Sequence, residues 1–589
     1  MQQKTQGRKP RPKAFHRKLD RAIPLKRRKD VIPELGDNVR IIPLGGVEEI
    51  GKNMTAIEYK DEIVIVDAGF QFSEEDTPGV DFMIPNVSYL EERKEKVKAV
   101  FITHGHYDHI GAIPFVMEKI GNPPIYSMQF GAAIIEKRQI EFPDKPTLRM
   151  NIVKGNEVIQ ISEHFKIEFF DISHAIPDSM GVIISTPHGD IVTISDVRVD
   201  HVDGIVSEKE KKHYEKLQGR KVKLFMLDST SIEKPGFSRP ESSVIKTVDL
   251  LMKRANGRFI IGTFASQVER VIEFIKMAEK YNKKVIIDGR SMKSNVEIVK
   301  QLGILKLDNL IPIEEMVDYA PNRIVVIATG AQGEQYSVLD RVANGNHRFI
   351  KLNKTDTVVL SSSIIPGNDF AIGKLKDNLY RQEARIITYS DADVHASGHG
   401  SRGELEWIHS QVDYEYFMPM HGHHYMLRIH GETAQALGVP EDHIFIPDNG
   451  SIIEIEPSGK IVKRKEKVVV DPIAIEGNSV SDMSEVLLRD RKLLAEDGIF
   501  VVIAMINTRT GRLKKSPDII ARGFVYLRES QDLLSDARHI IKKSIESSIT
   551  GTGPINFDHA KNAVTEDVSR FLFQKTSKKP MVIPVILGV

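Results

Sequence analysis

The 589-residue chain contains no cysteine. That absence removes disulfides, thiolate nucleophiles and Cys-ligated zinc together. Any metal must be held by imidazole and carboxylate, a donor set that suits zinc and tolerates manganese. Long hydrophobic runs are also missing: the longest, such as 499–506, fall far short of the ~20 residues a membrane span needs. The N-terminus carries charge but lacks the apolar stretch of a signal peptide, so a cytoplasmic location and no membrane partner are expected. Stacking aromatics interleaved with basic residues, the usual platform for single strands, are not evident, so any nucleic acid would be held largely through its phosphates. What remains is ordinary for a globular chain, with 41% apolar and 28% charged residues. The length implies two to four domains.

A formal charge of +1 conceals an asymmetry. Residues 1–30 hold twelve Lys and Arg against Asp20 and Asp30, a segment of +10, which leaves −9 for residues 31–589. A basic arm on a mildly acidic body is a common device for holding a polyanion. The arm contains no serine, which speaks against a transit peptide. Residues 1–37 are therefore expected to be a disordered basic arm.

The chemistry concentrates where apolar strands end. The run 99–103 is followed by Thr103-His-Gly-His-Tyr-Asp-His109, four metal-competent side chains in six residues. Residues two apart on an extended chain point the same way, so His104 and His106 can reach one ion together. Asp108 and His109 follow as the chain turns and face a point a few ångströms on, which suits two ions. Ionisable residues recur at other strand ends: Asp67, His174, Asp196, Asp228 and His421. In α/β sheets that edge is where ligand sites form. The His-x-His-x-Asp-His run after a strand resembles the signature of the metallo-β-lactamase superfamily.

A catalytic zinc takes about three protein ligands and leaves a position for water. His104, His106 and His174 supply one triad, and Asp108, His109 and His421 a second, with Asp196 able to bridge through its two oxygens. Two ions so placed brace the attacking and leaving oxygens of a phosphodiester. Asp67 is better placed to orient a ligand imidazole from behind. In a second stretch, Asp391-Ala-Asp-Val-His-Ala-Ser-Gly-His-Gly-Ser-Arg-Gly-Glu404, Ser401 and Glu404 form a capping box that opens a helix. His399 then sits just before a helix N-terminus, where anions are favoured. It can donate to a phosphoryl oxygen or leaving group, and His395 could do the same.

Around these motifs, 267–281 and 296–302 are expected to be helices alternating with strands 259–263, 284–288, 324–329 and 357–361. That is a doubly wound α/β unit inserted into the first domain. Its small-residue loops, including Ala265-Ser266, Ser361-Ser362 and Gly367-Asn368, can cradle phosphate. A helix is expected over 111–121, a charged linker over 456–469, a strand near 524–527, and amphipathic helices over 531–549 and 559–575.

Taken together the chain resembles the β-CASP branch of the metallo-β-lactamase superfamily and, within it, the bacterial ribonuclease J family, over roughly 38–589. The matching stretches include Gly45-Gly-Val-Glu-Glu-Ile-Gly-Lys-Asn53, Ser173-His-Ala-Ile-Pro-Asp-Ser179, Asp228-Ser-Thr230, Ala396-Ser-Gly-His-Gly-Ser401, Met418-Pro-Met-His-Gly422 and Ala521-Arg-Gly-Phe-Val525. The resemblance implies an α/β fold: an αββα metallo-β-lactamase sandwich over 38–230 and 389–455, a β-CASP insert over 231–388, a linker over 456–475 and a small C-terminal α/β domain over 476–589. It implies catalytic roles for Asp108, Asp196, Asp228 and His399, and substrate contacts from Ser266, Ser361, Ser362, His395, Ala396, Ser397, Gly398 and His399. It further implies two Zn²⁺ per chain, with Mn²⁺ or Mg²⁺ as alternatives. The expected activity is 5′→3′ exonucleolytic and endonucleolytic cleavage of single-stranded RNA, with 5′-monophosphate ends preferred, by a homodimer or homotetramer engaged in RNA maturation and decay. An RNA-degradation or ribosome-associated complex is an expected setting.

Two departures stand out. Ile194-Ser-Asp-Val197 replaces the usual Thr-Gly-Asp-Phe, keeping the bridging carboxylate. Ser266-Gln-Val-Glu-Arg270 replaces Ser-Asn-Ile-His-Arg, losing one histidine on the substrate side. The competing classes are a β-CASP DNA nuclease, a small-molecule metallohydrolase and a non-catalytic RNA-binding scaffold. His421 favours RNA, because DNA-acting members tend to carry valine there. A small-molecule hydrolase would need neither the insert nor Asp228 and His399. Buried ligand carboxylates and imidazoles without a metal would be costly in a scaffold.

Overall fold

The computed structural model describes residues 31–73, 77–365, 367–477, 479–481, 485–525, 530–549 and 555–589. The basic arm therefore lies, apart from its last residues, outside the described residues, as does Pro366 in the third insert loop.

Two sheets face each other in the first domain. One has eight strands, running from the edge strand Ile461–Lys467 through Ser451–Ile455, Val39–Gly45, Met54–Tyr59, Glu62–Val66 and Val97–Phe101 to two short strands. The other has six, from Asp413–Met420 through Lys221–Asp228, Gly189–Ile194, Met180–Thr186 and Lys166–Asp171 to Val158–Gln160. Their inner faces share a core that includes Ile41, Val64, Phe101, Phe169, Leu224 and Met418. Each outer face is covered by helices over a separate apolar cluster, which makes the sandwich αββα. Central strands such as Val39–Gly45 and Met54–Tyr59 are buried at every position, which accounts for their nearly continuous apolar sequence.

The insert is a five-stranded, all-parallel sheet between two apolar clusters. Its first strand, Phe259–Thr263, is central, flanked by Ile324–Ala328 and by Thr357–Ser361. The order reverses there, and Thr263 pairs with Ser361 at the C-terminal edge of the switch point, where α/β sheets bind ligands. The chain then returns through helix Arg402–Gln411, strand Asp413–Met420 and helix His424–Ala436. The C-terminal domain is a three-stranded sheet, Ile499–Ile506 between Asp518–Arg522 and Met581–Gly588, backed by helices Gln531–Ser548 and Phe557–Thr576. No described helix is long and apolar enough to cross a membrane.

Some expectations need correction. The stretch expected as a linker contains Ile461–Lys467, which pairs with Ser451–Ile455 as an edge strand of the large sheet. Ile473–Glu476, within the same expected linker, pairs with Phe82–Ile84. Charge on this stretch reflects an exposed sheet edge, where lysines block further pairing. Helix 111–121 is instead two short turns, Tyr107–Ile110 and Ile113–Val116. The helix expected from 296 begins at Arg290. The strand expected near 524 is Asp518–Arg522, and residues 526–529 lie outside the described residues.

Candidate active site

The acidic and imidazole side chains at the strand ends converge. His104 Nε2 and His174 Nε2 each stand 3.1 Å from His106 Nδ1, and lie 3.5 and 3.6 Å from Asp196 Oδ2. On the other side of the same carboxylate, His109 Nε2 is 3.1 Å and His421 Nδ1 2.6 Å from Asp196 Oδ1. Asp108 Oδ2 completes this group, 3.5 Å from His109 Nε2 and 3.6 Å from His421 Nε2. Asp196 therefore faces two groups of donors with different oxygens, each group compact enough to hold one ion.

Local backbone strain aims these groups. Asp67 and His421 both adopt left-handed conformations, φ 62° and 51°, uncommon for non-glycine residues and concentrated at functional sites. Gly69 has no room for a side chain: a Cβ would lie 1.5 Å from the Asp108 carbonyl oxygen. This close approach lets Ala68 N donate to His109 O and sets the turn carrying Asp108.

The hydrogen bonds behind the rings choose their tautomers. His106 Nε2 donates to Ser266 O at 3.1 Å and His174 Nδ1 to Gly398 O at 2.8 Å. His106 Nδ1 and His174 Nε2 are then bare lone pairs 3.1 Å apart, an arrangement a cation would relieve. His109 Nδ1 donates to Asp67 Oδ2 at 2.8 Å, freeing Nε2 for the second position. Asp67 also accepts from Thr103 N and Thr103 Oγ1. Asp196 Oδ1 and both ring nitrogens of His421 are buried without any hydrogen-bond partner among the described residues, despite their closeness. Burial and neighbouring His109 hold His104 well below the usual histidine range, and burial does the same for His174. Burial opposes charge on His109 and His421 as well, but there the surrounding carboxylates together outweigh it and raise both: Asp196, Asp108 and Asp67 around His109, and Asp196 and Asp228 around His421. Lone pairs without hydrogens, orphaned oxygens and carboxylates that demand positive charge all fit divalent cations.

His399 lies beside this cluster. Its Nδ1 donates to Asp228 Oδ2 at 2.8 Å, which leaves Nε2 facing Asp196 Oδ2 at 3.7 Å. Burial works against its charging, yet Asp228 and Asp196 lift its pKa to about 9. Asp228 is itself fixed by Thr230 N and Thr230 Oγ1 at 2.8 and 2.7 Å. The capping box of Ser401 and Glu404 is present, and Gly400 N donates to Val197 O, tying the helix start to the strand end that carries Asp196.

The remaining expected substrate contacts surround the seam between the domains. Ser361 Oγ donates to Val394 O at 2.5 Å and Ser362 Oγ to Ala331 O at 3.1 Å, so both hydroxyls are engaged in holding the loops. Ser397 Oγ accepts from His399 N, Ser266 offers its carbonyl to His106, and Ala396 O and Gly398 O accept from Arg270 and His174. His395 Nδ1 accepts from Arg270 Nη1 at 2.9 Å, which puts its proton on Nε2. Burial, then Arg270, press its pKa down to about 3.

Two groups escaped sequence reasoning. Arg270 is fully buried, donating from Nε and Nη2 to Glu241 at 2.6 Å each and from Nη2 to Ala396 O at 2.8 Å. Its signal was present in the altered Ser266-Gln-Val-Glu-Arg270 motif, where the arginine survives. A buried relay, Tyr414 Oη to His409 Nδ1 (2.6 Å), His409 Nε2 to His430 Nε2 (3.0 Å) and His430 Nδ1 to Ser229 Oγ (2.9 Å), braces the residue after Asp228. Nothing in spacing could have found it, because its members are scattered over two helices and two strand ends.

Comparison with known proteins agrees with this architecture. Residues 48–202 match the model of the metallo-beta-lactamase superfamily, 256–379 that of the ribonuclease J beta-CASP domain, and 486–589 that of the ribonuclease J C-terminal domain. Ribonuclease J2 of Bacillus subtilis (strain 168) is 33% identical over 555 residues, covering 94% of this chain and 99% of its own length. Ribonuclease J of Mycoplasma pneumoniae is 34% identical over 559 residues, 93% and 97% of the two lengths. A crystal structure of a protein of unknown function from Enterococcus faecalis V583 shares the fold, with a TM-score of 0.50 and 16% identity over 71% of this chain and all of that one. With near-full-length identity above 30% to curated relatives, the chain belongs to the ribonuclease J family.

Proposed function

We propose that this metal-dependent ribonuclease removes nucleotides from the 5′ end of single-stranded RNA, prefers a 5′-monophosphate, and also cuts internally, with two zinc ions in the donor groups that Asp196 joins. The observation that carries the reading is this carboxylate, each oxygen turned to its own set of imidazoles. When bound, the two ions supply an activated water and stabilise both the attacking and leaving oxygens of the phosphodiester.

The chain's own residues do the rest. Asp228 fixes the His399 ring, so that Nε2 points toward the reacting centre and can donate to a phosphoryl oxygen or to the leaving oxygen. An exonuclease must also measure one nucleotide from the chain end. For that it needs an anion pocket at a fixed distance from the cluster. His395 Nε2, the 395–399 backbone and the turn at Ser266 border the switch-point edge of the insert and offer donors for a terminal phosphate. Ser361, Ser362 and Arg270 hold that wall rigid rather than touching the phosphate through their hydroxyls and guanidinium. Losing charge-assisted bonds to a monophosphate costs about 1.5–3 kcal/mol each, enough for a tenfold preference over a 5′-hydroxyl.

A homodimer or homotetramer is supported by the C-terminal sheet. One face, with Phe500, Val502 and Ala504, packs on the helices, while the other sets Val501 and Ile503 beside the exposed Ile583 and Val585. The setting is cytoplasmic, within an RNA-degradation or ribosome-associated complex. The test compares purified protein on 5′-monophosphate and 5′-hydroxyl RNA of one sequence and on matching DNA, with metal analysis. We expect about two zinc equivalents, mononucleotides released at least tenfold faster from the monophosphate substrate, and little cleavage of DNA. Ser362→Arg blocks end-directed cleavage and spares internal cuts. Equal rates on both RNA ends with no mononucleotide product leave an endonuclease only.

A further inference from the structure

The C-terminal domain contains no catalytic cluster among its described residues, yet it holds a groove of about 860 Å³ with an unusual charge. Helix Gln531–Ser548 forms one wall. Its apolar stripe, Leu534, Ala537, Ile541 and Ile545, is buried against the sheet. The residues that line the groove, Ser535, Arg538, His539, Lys542 and Glu546, recur at the same helical spacing on another face. The facing wall is the 510–517 turn, which contributes Arg512 and Lys515.

That turn is built rather than loose. Asn507 Oδ1 accepts from Arg509 N and Thr510 N at 3.0 Å each, and Asn507 N donates to Arg512 O at 2.9 Å. Lys514 N donates to Met505 O, and Ile506 bridges to Leu513. Gly511 takes φ +67°, and a Cβ there would lie 2.8 Å from Ile549 Cγ2, so the turn is seated on the end of the helix wall. Lys515 is paired with Asp518 at 2.7 Å. Arg512, Arg538 and Lys542 have no side-chain partner among the described residues, and the lining offers a single carboxylate, Glu546. Three unpaired cations held around one concavity raise its potential and attract a polyanion. Among the described residues the lining contains no Phe, Tyr or Trp on which bases could stack, so the contacts it offers are to phosphates.

We infer that the groove between the 510–517 turn and helix Gln531–Ser548 is a second RNA site, which grips the phosphate backbone of long substrates away from the metal cluster without reading sequence. The inference takes from the preceding reading only that RNA is the substrate. An acidic protein segment is the other polyanion that would fit the charge, and the experiment separates the two.

The test uses the full-length protein and the double variant R538E/K542E. Binding of a 30-nucleotide single-stranded RNA is followed by fluorescence anisotropy in EDTA, which prevents cleavage, across a potassium chloride series. Hydrolysis of a 5′-phosphorylated trinucleotide, with metal present, reports on the catalytic cluster. The expected result is RNA affinity weakened about tenfold at moderate salt. The slope of log affinity against log salt should be shallower by about 1.4, the loss of two single-strand phosphate contacts at ~0.7 each. Trinucleotide turnover should be unchanged. R538Q/K542Q, which removes the charges without reversing them, should give a smaller shift in the same direction. Parental affinity and salt slope in both variants overturn the proposal, whatever acidic partner the groove is then found to bind. A parallel fall in trinucleotide turnover in both variants overturns it too, by showing a structural defect. A parent that fails to cleave RNA but shows charge-dependent binding keeps the groove and refutes the nuclease reading instead.

Discussion

The two donor groups that share Asp196 are supported from different parts of the molecule. In the first, the protons of His106 and His174 are directed onto Ser266 O, from the insert, and Gly398 O, from the segment that returns after it. In the second, His109 is oriented by Asp67, and Asn53 lies 3.2 Å from its Nε2, all within the first 110 residues. The first position is thus completed only when the insert docks, while the second is assembled by the sandwich alone. With an ion in each group, as proposed above, placement of the insert would be coupled to one ion and the other would be a fixed anchor.

The largest effect should come from removing what the two positions share. Asp196→Ala takes an oxygen from each, and among the described residues its carboxylate is the only one that belongs to both groups. Turnover should fall by at least about a thousandfold, the scale of losing electrostatic stabilisation at a reacting centre. Metal content should drop for both equivalents, with the fold intact by circular dichroism. If one equivalent stays tightly bound, the two groups are independent and the bridging role is wrong.

Asp67→Asn should act on the second position alone. The amide no longer accepts as strongly from His109 Nδ1, and loss of such a supporting partner typically weakens metal affinity about 10–100-fold. A chelator should therefore strip one equivalent quickly and the other at the parental rate. Loss of both at equal rates would erase the distinction between the positions.

Much of this was legible in the sequence, and the boundary is instructive. The members of the two donor groups could be picked out because they sit at or just past the ends of apolar runs, and few residue types can bind a divalent ion. The supports that distinguish the two positions could not. Two of them are backbone carbonyls, which leave no trace in residue identity. The insert was legible from strand and helix alternation, whereas the edge strand Ile461–Lys467 was hidden because its exposed Lys463, Lys465 and Lys467 break the apolar signal. Arg270 lies 29 residues from Glu241 and 125 from His395, so only the folded insert shows that one guanidinium ties them together.

That guanidinium offers the way to disturb the first position alone. Arg270→Met removes the bonds to His395 and Ala396 O, loosening the segment that presents Gly398 O to His174. Glu241 keeps Arg198 at 3.0 Å, so the cost should lie near the low end for breaking a buried pair, about 3 kcal/mol. The expected pattern is the reverse of Asp67→Asn: the chelator-labile equivalent is now the first, and turnover falls roughly tenfold, the low end of the penalty for disturbing a supporting partner. In a variant carrying both changes neither equivalent should be held tightly. If Arg270→Met leaves both equivalents as firmly bound as in the parent, docking of the insert does not govern the first position.

The smallest effect expected is a pH dependence of stability that arises in the insert wall. Burial, and then the Arg270 charge, hold the His395 pKa near 3 in the folded protein, against 6.5 for an unperturbed histidine. Above pH 6.5 the ring is neutral whether the chain is folded or not, and its contribution to stability is fully present. As pH falls below 6.5 the unfolded chain takes up a proton that the folded one refuses, so folding weakens, and it continues to weaken until the folded pKa is reached. At pH 5 this amounts to about 2 kcal/mol, from 1.36 kcal/mol per unit over 1.5 units. Denaturant unfolding at pH 7.5 and 5.0 should show that loss in the parent. His395→Gln, which cannot titrate, should be less stable at pH 7.5 yet lose less on acidification. A parent and a His395→Gln variant with the same drop between the two pH values would place the acid sensitivity elsewhere and remove His395 as its source.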